Sequence, residues 1–139
     1  VTYLLDTNVV SELRKIAAGK AHRRVAAWAD SVDAHELFVS AITIHELEIG
    51  VQSKERRDAR QGAVLRAWLH RRVIPAFSAR ILPVDRDVAL RAAAFHVPNP
   101  RPIRDSFIAA TALVNHKIVV TRDVADFEVL DVQVIDPWA

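Results

Sequence analysis

Short apolar runs alternate along this chain with longer stretches of helical periodicity, and the changes of period mark out the elements. Thr2–Leu5 is a β-branched and apolar run that stops at Asp6-Thr7-Asn8, so a strand ends in polar residues there. Thr7 or Asn8 is expected to cap a short helix running to about Lys15. Val25, Trp28 and Ala29 stand at helical spacing within a second helix, over residues 21–32. Leu37–Ser40 is the second strand, and a helix beginning at Thr43 carries Ile44, Leu47 and Val51 on one stripe. A single long helix is expected from Arg56 to Ala76, with Ala63, Val64, Ala67, Trp68 and Val73 inside and arginines outside. Ile81–Val84 reads as a third strand, and Asp85 as the N-cap of a helix to His96. Prolines 98, 100 and 102 recur at every second position, which forbids helix and makes residues 97–102 a stiff loop. An alanine-rich helix over Ile103–His116, a strand over Lys117–Thr121, a helical turn over Asp123–Phe127 and a last strand over Val132–Ile135 complete the series.

Strands that alternate with helices in this way predict an α/β sandwich with a mainly parallel central sheet flanked by helices. In such sheets ligands sit beyond the carboxyl ends of the strands. Asp6 follows the first strand and Asp123 follows the fourth, so both project from that edge if the two strands are parallel neighbours. Glu46 stands in the first turn of the helix after the second strand, and Asp105 in the first turn of the helix leaving the proline loop. Singly, each has an ordinary explanation, because an early helical acid caps backbone donors and complements the dipole. Together they cannot be left uncompensated: like charges held in a cleft repel, and desolvation adds to the cost. Four carboxylates and no thiolate suit a hard divalent cation, Mg²⁺ or Mn²⁺. No lysine or thiol stands within these segments, and the site is expected to contain no side chain able to replace the ion's charge. Phosphodiester hydrolysis is the chemistry that such an ion serves.

Composition narrows the class. The chain has 139 residues, of which 51% are hydrophobic, and only 3 glycines, so a folded unit without flexible linkers is expected. It has no cysteine, which removes disulfides and thiolate metal sites and fits the reducing cytoplasm, the expected location. Its first residues lack a basic n-region and meet Asp6 early, so no signal peptide is expected, nor is a membrane partner. The formal net charge is only +2. Yet Lys54, Arg56, Arg57, Arg60, Arg66, Arg71, Arg72 and Arg80 fall within one segment opposed by Glu55 and Asp58. Alone such a run is a solvated helix face; beside an acidic hydrolytic site it becomes a surface for RNA, with Arg56, Arg57 and Arg60 as candidate phosphate contacts.

The residues around the four acids also carry a resemblance. Tyr3-Leu4-Leu5-Asp6-Thr7-Asn8-Val9-Val10-Ser11-Glu12-Leu13 resembles the opening of PIN-domain proteins. Thr43-Ile44-His45-Glu46-Leu47-Glu48-Ile49-Gly50 resembles their second motif, Asp105-Ser106-Phe107-Ile108-Ala109-Ala110-Thr111-Ala112 their third and Thr121-Arg122-Asp123-Val124-Ala125-Asp126-Phe127 their fourth. Asp136-Pro137-Trp138 is similar to the close of the FitB-like branch. The resemblance runs from end to end and implies a single PIN domain over residues 1–139. It further implies a VapC-type toxin of a type II toxin–antitoxin system: an Mg²⁺-dependent endoribonuclease, often a homodimer, held in a higher complex by a VapB-like antitoxin. By motif, Asp6, Glu46, Asp105 and Asp123 become the metal-binding acids, with Asn8 and Thr121 as polar supports. Many relatives have Asn at the place of Asp123, which leaves Asp126 as a helper or substitute; Asp131 stands where a glycine is often found.

Other residues are assigned to structure. His45 points about 100° away from Glu46 on a helix, Glu48 faces roughly the opposite side, and Trp28 and Trp68 are expected in the core or a dimer contact. Two alternatives stay open: a catalytically weak nucleic-acid-binding PIN module, and a phosphotransferase with an Asp nucleophile. The second would need an acid two residues after Asp6, where this chain has Asn8. The antitoxin is expected to place an arginine among the four acids and to rest on apolar surface between the first helices and the Thr43–Ala76 pair. Val9, Val10, Leu13, Val51 and Leu65 are candidates for that surface.

Overall fold

A computed structural model describes residues 1–139. Five strands form one parallel sheet in the order β3-β2-β1-β4-β5: β1 Tyr3–Leu5, β2 Leu37–Ser40, β3 Ile81–Leu82, β4 Ile118–Val120 and β5 Val134–Ile135. Strand order reverses between β1 and β4, so the crevice at their carboxyl ends is the topological switch point where α/β sheets hold ligands. Successive residues of β1 face opposite sides. Leu5 enters a core with Val9, Val39, Val51, Leu69 and Val120, whereas Leu4 enters the other with Ile108, Ala109, Val119 and Phe127.

Helix α1 spans Thr7–Leu13, α2 Arg23–Ser31 and α3 Ala41–Arg57. The cap of α1 is Asp6, whose carboxylate accepts from Thr7 N at 2.7 Å, in place of the expected Thr7 or Asn8. Likewise α3 begins two residues before Thr43, because the Ser40 hydroxyl accepts from Ile42 N at 3.0 Å. Ile44, Leu47 and Val51 do face the core.

The long helix expected over Arg56–Ala76 is interrupted. Arg56 and Arg57 close α3, Asp58 turns the chain, and its side chain caps α4, Ala59–Trp68, by accepting from Gln61 N at 3.1 Å. A π-helical segment, Leu69–Val73, leads into α5, Ile74–Ala76. With the helix starting later and packing through Gly62, Ala63 and Val64 face solvent, while Gly62, Leu69 and Val73 are buried.

Beyond β3, α6 spans Arg86–Ala94 under an Asp85 cap, α7 Ile103–Val114 and α8 Val124–Glu128. The buried alanines of α7, Ala109, Ala110 and Ala112, fill little space and let it lie close to the sheet. Asp131 has φ of 57°, the left-handed region that glycine occupies without steric cost and Asp tolerates better than most residues. Val9, Val10 and Val51 are core residues, not the open apolar surface expected for a partner, whereas Leu13 and Leu65 are half-buried against the same core. Trp28 packs edge-on against Tyr3 with ring centroids 5.3 Å apart, and Trp68 is half-buried against the core. No helix is long and apolar enough to cross a membrane.

Candidate functional site

At the switch point the chain gathers acids from three distant segments. Asp6, fully buried, follows β1 directly. Glu46, on the second turn of α3, and Asp105, in the first turn of α7, come in from either side with 28% and 13% of their side chains exposed. All three converge on one guanidinium, that of Arg104. Its Nε donates to Glu46 Oε2 at 2.6 Å, its Nη1 to Asp105 Oδ1 at 2.7 Å, and its Nη2 to Asp6 Oδ1. Each nitrogen of the fork thus serves a different carboxylate. This overturns the expectation that the site has no side chain able to replace an ion's charge, and the place expected for a partner's arginine is held by one of this chain's own.

Hydroxyls take up the second oxygens of Asp6 and Glu46. Thr121 Oγ1 donates to Asp6 Oδ2 at 2.7 Å, and Thr7 Oγ1 to Glu46 Oε1 at 2.5 Å. Asp123 is more exposed and joins the cluster indirectly: Asn8 Nδ2 donates to Asp123 Oδ2 at 3.2 Å and to Thr121 Oγ1 at 3.4 Å, and Asp123 N donates to Thr121 Oγ1 at 3.0 Å. Thr121 is therefore the hinge between Asp6 and the Asp123 loop. Asp126 lies outside this bonded set, exposed, but near enough for its charge to act on Asp105.

Burial pushes the Asp105 carboxyl up from the usual range; Arg104 pulls it back, and the charges of Asp126 and Asp6 push it further up. Burial also opposes the charge on Arg104, but Glu46 and Asp6 outweigh it and its pKa rises above the ordinary arginine value. The guanidinium is cationic at every pH the protein meets.

The donor chemistry fits a hard divalent cation: every ligating atom offered is oxygen, and the three clustered carboxylates carry more negative charge than one arginine neutralises. With Arg104 seated among them, no three acidic or imidazole side chains are grouped so as to hold an ion. Beside the cluster runs a groove of about 380 Å³ lined by Ile42, His45, Glu46, Ile49, Ile103, Arg104 and Phe107. His45 thus lines this groove and makes no bond to the acids. Glu48 faces away, toward α4, as its position on the helix requires: it accepts from Gln52 at 2.7 Å, His70 at 2.8 Å and Arg66 at 3.0 Å. Arg56, Arg57 and Arg60 are exposed, on either side of the turn at Asp58. They form a corner between two helices, not a stripe along one.

A family profile described as "PIN domain" matches residues 3–132. The chain is 38% identical to "Toxin FitB" of Neisseria gonorrhoeae, over 97% of both chains. It is 36% identical to "VapC ribonuclease Y4jK" of Sinorhizobium fredii, over 97% of this chain and 96% of the relative. Among solved structures it is similar to the crystal structure of FitAcB from Neisseria gonorrhoeae, with a TM-score of 0.88, 36% identity and 99% of each chain covered.

Proposed function

This chain belongs to the PIN-domain family, and from that premise we propose that it is a metal-dependent endoribonuclease acting as the toxin of a toxin–antitoxin pair. The convergence of Asp6, Glu46 and Asp105 on a single cationic point carries the reading, since three acids so placed require a positive charge between them. Asp6, Glu46, Asp105 and Asp123 would hold Mg²⁺ or Mn²⁺, which when bound activates water and stabilises the leaving oxygen of a phosphodiester. The other residues position these acids. Thr121 and the Thr7 backbone fix the Asp6 carboxylate, Thr7 turns Glu46 inward, and Asn8 tethers Asp123 to the same edge.

Two relatives named for a toxin and a VapC ribonuclease support the substrate and the biological role. Cytoplasmic RNA is the substrate in this reading, with contacts from Arg56, Arg57 and Arg60, and a VapB-like antitoxin is the partner that restrains a homodimeric toxin.

Purified protein incubated with cellular RNA should generate new 5′ ends in Mg²⁺ or Mn²⁺ and none in excess EDTA. Asp6→Asn should reduce cleavage to background and, by weakening hydrogen bonds made to a charged group, cost about 1.5–3 kcal/mol of stability. Undiminished cleavage in EDTA, from protein free of contaminating nuclease, would remove the metal from the reading. RNA binding with no new ends would leave a binding module.

A further inference from the structure

Arg104 satisfies the acids too completely to be a bystander. One oxygen of Asp6, one of Glu46 and one of Asp105 each accept from a different nitrogen of its fork. The second oxygen of Asp6 is engaged by Thr121, and that of Glu46 by Thr7. A Mg²⁺ ion needs oxygens converging at about 2.0–2.1 Å on one point. Here the guanidinium lies among those oxygens, and as placed the acids form no group able to hold an ion. Ion and guanidinium therefore compete for Asp6 and Glu46.

We propose that Arg104 is an internal stand-in for the divalent cation, so that the ion enters only by displacing it and the chain masks its own site in cis. This rests on the four-carboxylate metal reading above. Displacement is sterically open. The Arg104 side chain is 32% exposed, springs from the first turn of α7 beside the exposed Ile103, and borders the groove formed with Ile42, Ile49 and Phe107. A rotation of the side chain into that groove frees all three carboxylates without moving the sheet. Competition follows from charge: the ion brings two positive charges where the guanidinium brings one. The masked population lowers the apparent ion affinity in proportion to the fraction of molecules in which the site is closed.

Calorimetric titration of the purified chain with Mn²⁺ tests this on wild type, Arg104→Gln and Arg104→Lys, with Asp6→Asn as the control that locates the ion. Arg104→Gln should bind Mn²⁺ at least about tenfold more tightly than wild type. Arg104→Lys should fall between them, since an ammonium is a compact charge that cannot fork to three carboxylates. Should Arg104→Gln not fold, the wild-type protein decides: the Arg104 Nε–H resonance, followed by NMR during Mg²⁺ titration, should shift with the midpoint of ion binding. Equal Mn²⁺ affinity in wild type and Arg104→Gln, or an unmoved Arg104 resonance at saturating Mg²⁺, would overturn the masking and leave the metal site standing. Failure of wild type and both Arg104 variants to bind either ion would instead overturn the metal reading, and the masking with it.

Discussion

Arg104 and Asp105 are sequence neighbours of opposite charge that act on the same point. Adjacent helical residues ordinarily diverge by about 100°, and this is why the arginine was not legible beside an acid picked out by its own motif. The long arginine side chain nonetheless reaches back across that angle to Asp105 Oδ1; the signal available was an arginine immediately before the motif acid. The acids were legible as residue types in place, and Asn8 and Thr121 as their polar supports, whereas which oxygen meets which donor depends on tertiary packing. A second polar knot invites a separate test. Gln52, His70 and Arg66 hold the Glu48 carboxyl at about 2, against an ordinary 4.5. A carboxyl lowered on folding contributes stability that is complete above its unfolded value and is lost as pH falls toward the folded one. Glu48→Gln should therefore be less stable than wild type at pH 7, and the gap in urea midpoint should shrink between about pH 4.5 and pH 2. A gap independent of pH would show that the carboxylate's charge contributes nothing there.

At the level of elements, the corner between α3 and α4 shows what periodicity could and could not reveal. Lys54–Arg60 is rich in good helix formers, so propensity runs straight through the turn. The interruption was encoded in Asp58 with Gln61 three residues on, the pattern of an N-cap, but the helix-favouring charged residues on both sides of it obscure it. The two helices meet at Gly62. A Cβ there would stand 2.4 Å from Glu55 Cα and 2.7 Å from Glu55 N, backbone atoms that cannot rotate away. Gly62→Ala, which in an isolated helix gains up to about 1 kcal/mol, should here destabilise the protein by about 1–3 kcal/mol through overpacking. Thermal denaturation beside Gly50→Ala, where a Cβ meets nothing within 4 Å, provides the comparison. A stabilised Gly62→Ala would mean that the helices separate at little cost.

For the molecule as a whole, the parallel sheet followed from the alternation of strand and helix periods, whereas the strand order that puts β1 beside β4, and so the switch point, came only with the fold. The distribution of charge was legible only as composition. Folding moved the arginines from one imagined helical stripe to the α3–α4 corner, where Arg56, Arg57 and Arg60 stand together in solvent. Replacing all three with glutamine should weaken RNA binding and reduce the slope of log affinity against log salt by roughly two to three, about one for each phosphate no longer neutralised. Filter binding of single-stranded RNA across a salt series measures it. An unchanged slope would make this corner ordinary solvated surface.

The central place of β1 also sets an order on biosynthesis. Asp6 is synthesised 115 residues before its hydroxyl partner, Thr121, and β1 is paired on that flank by β4 alone. A nascent chain cannot close the acid cluster until Asp105, β4 and Thr121 have all been made. Chains that stop between Glu46 and Asp105 carry the first two acids but neither Asp105 nor the strand that holds Asp6 in register. On the proposed nuclease reading the site is therefore assembled only once β4 has been made, a delay that comes from strand order alone.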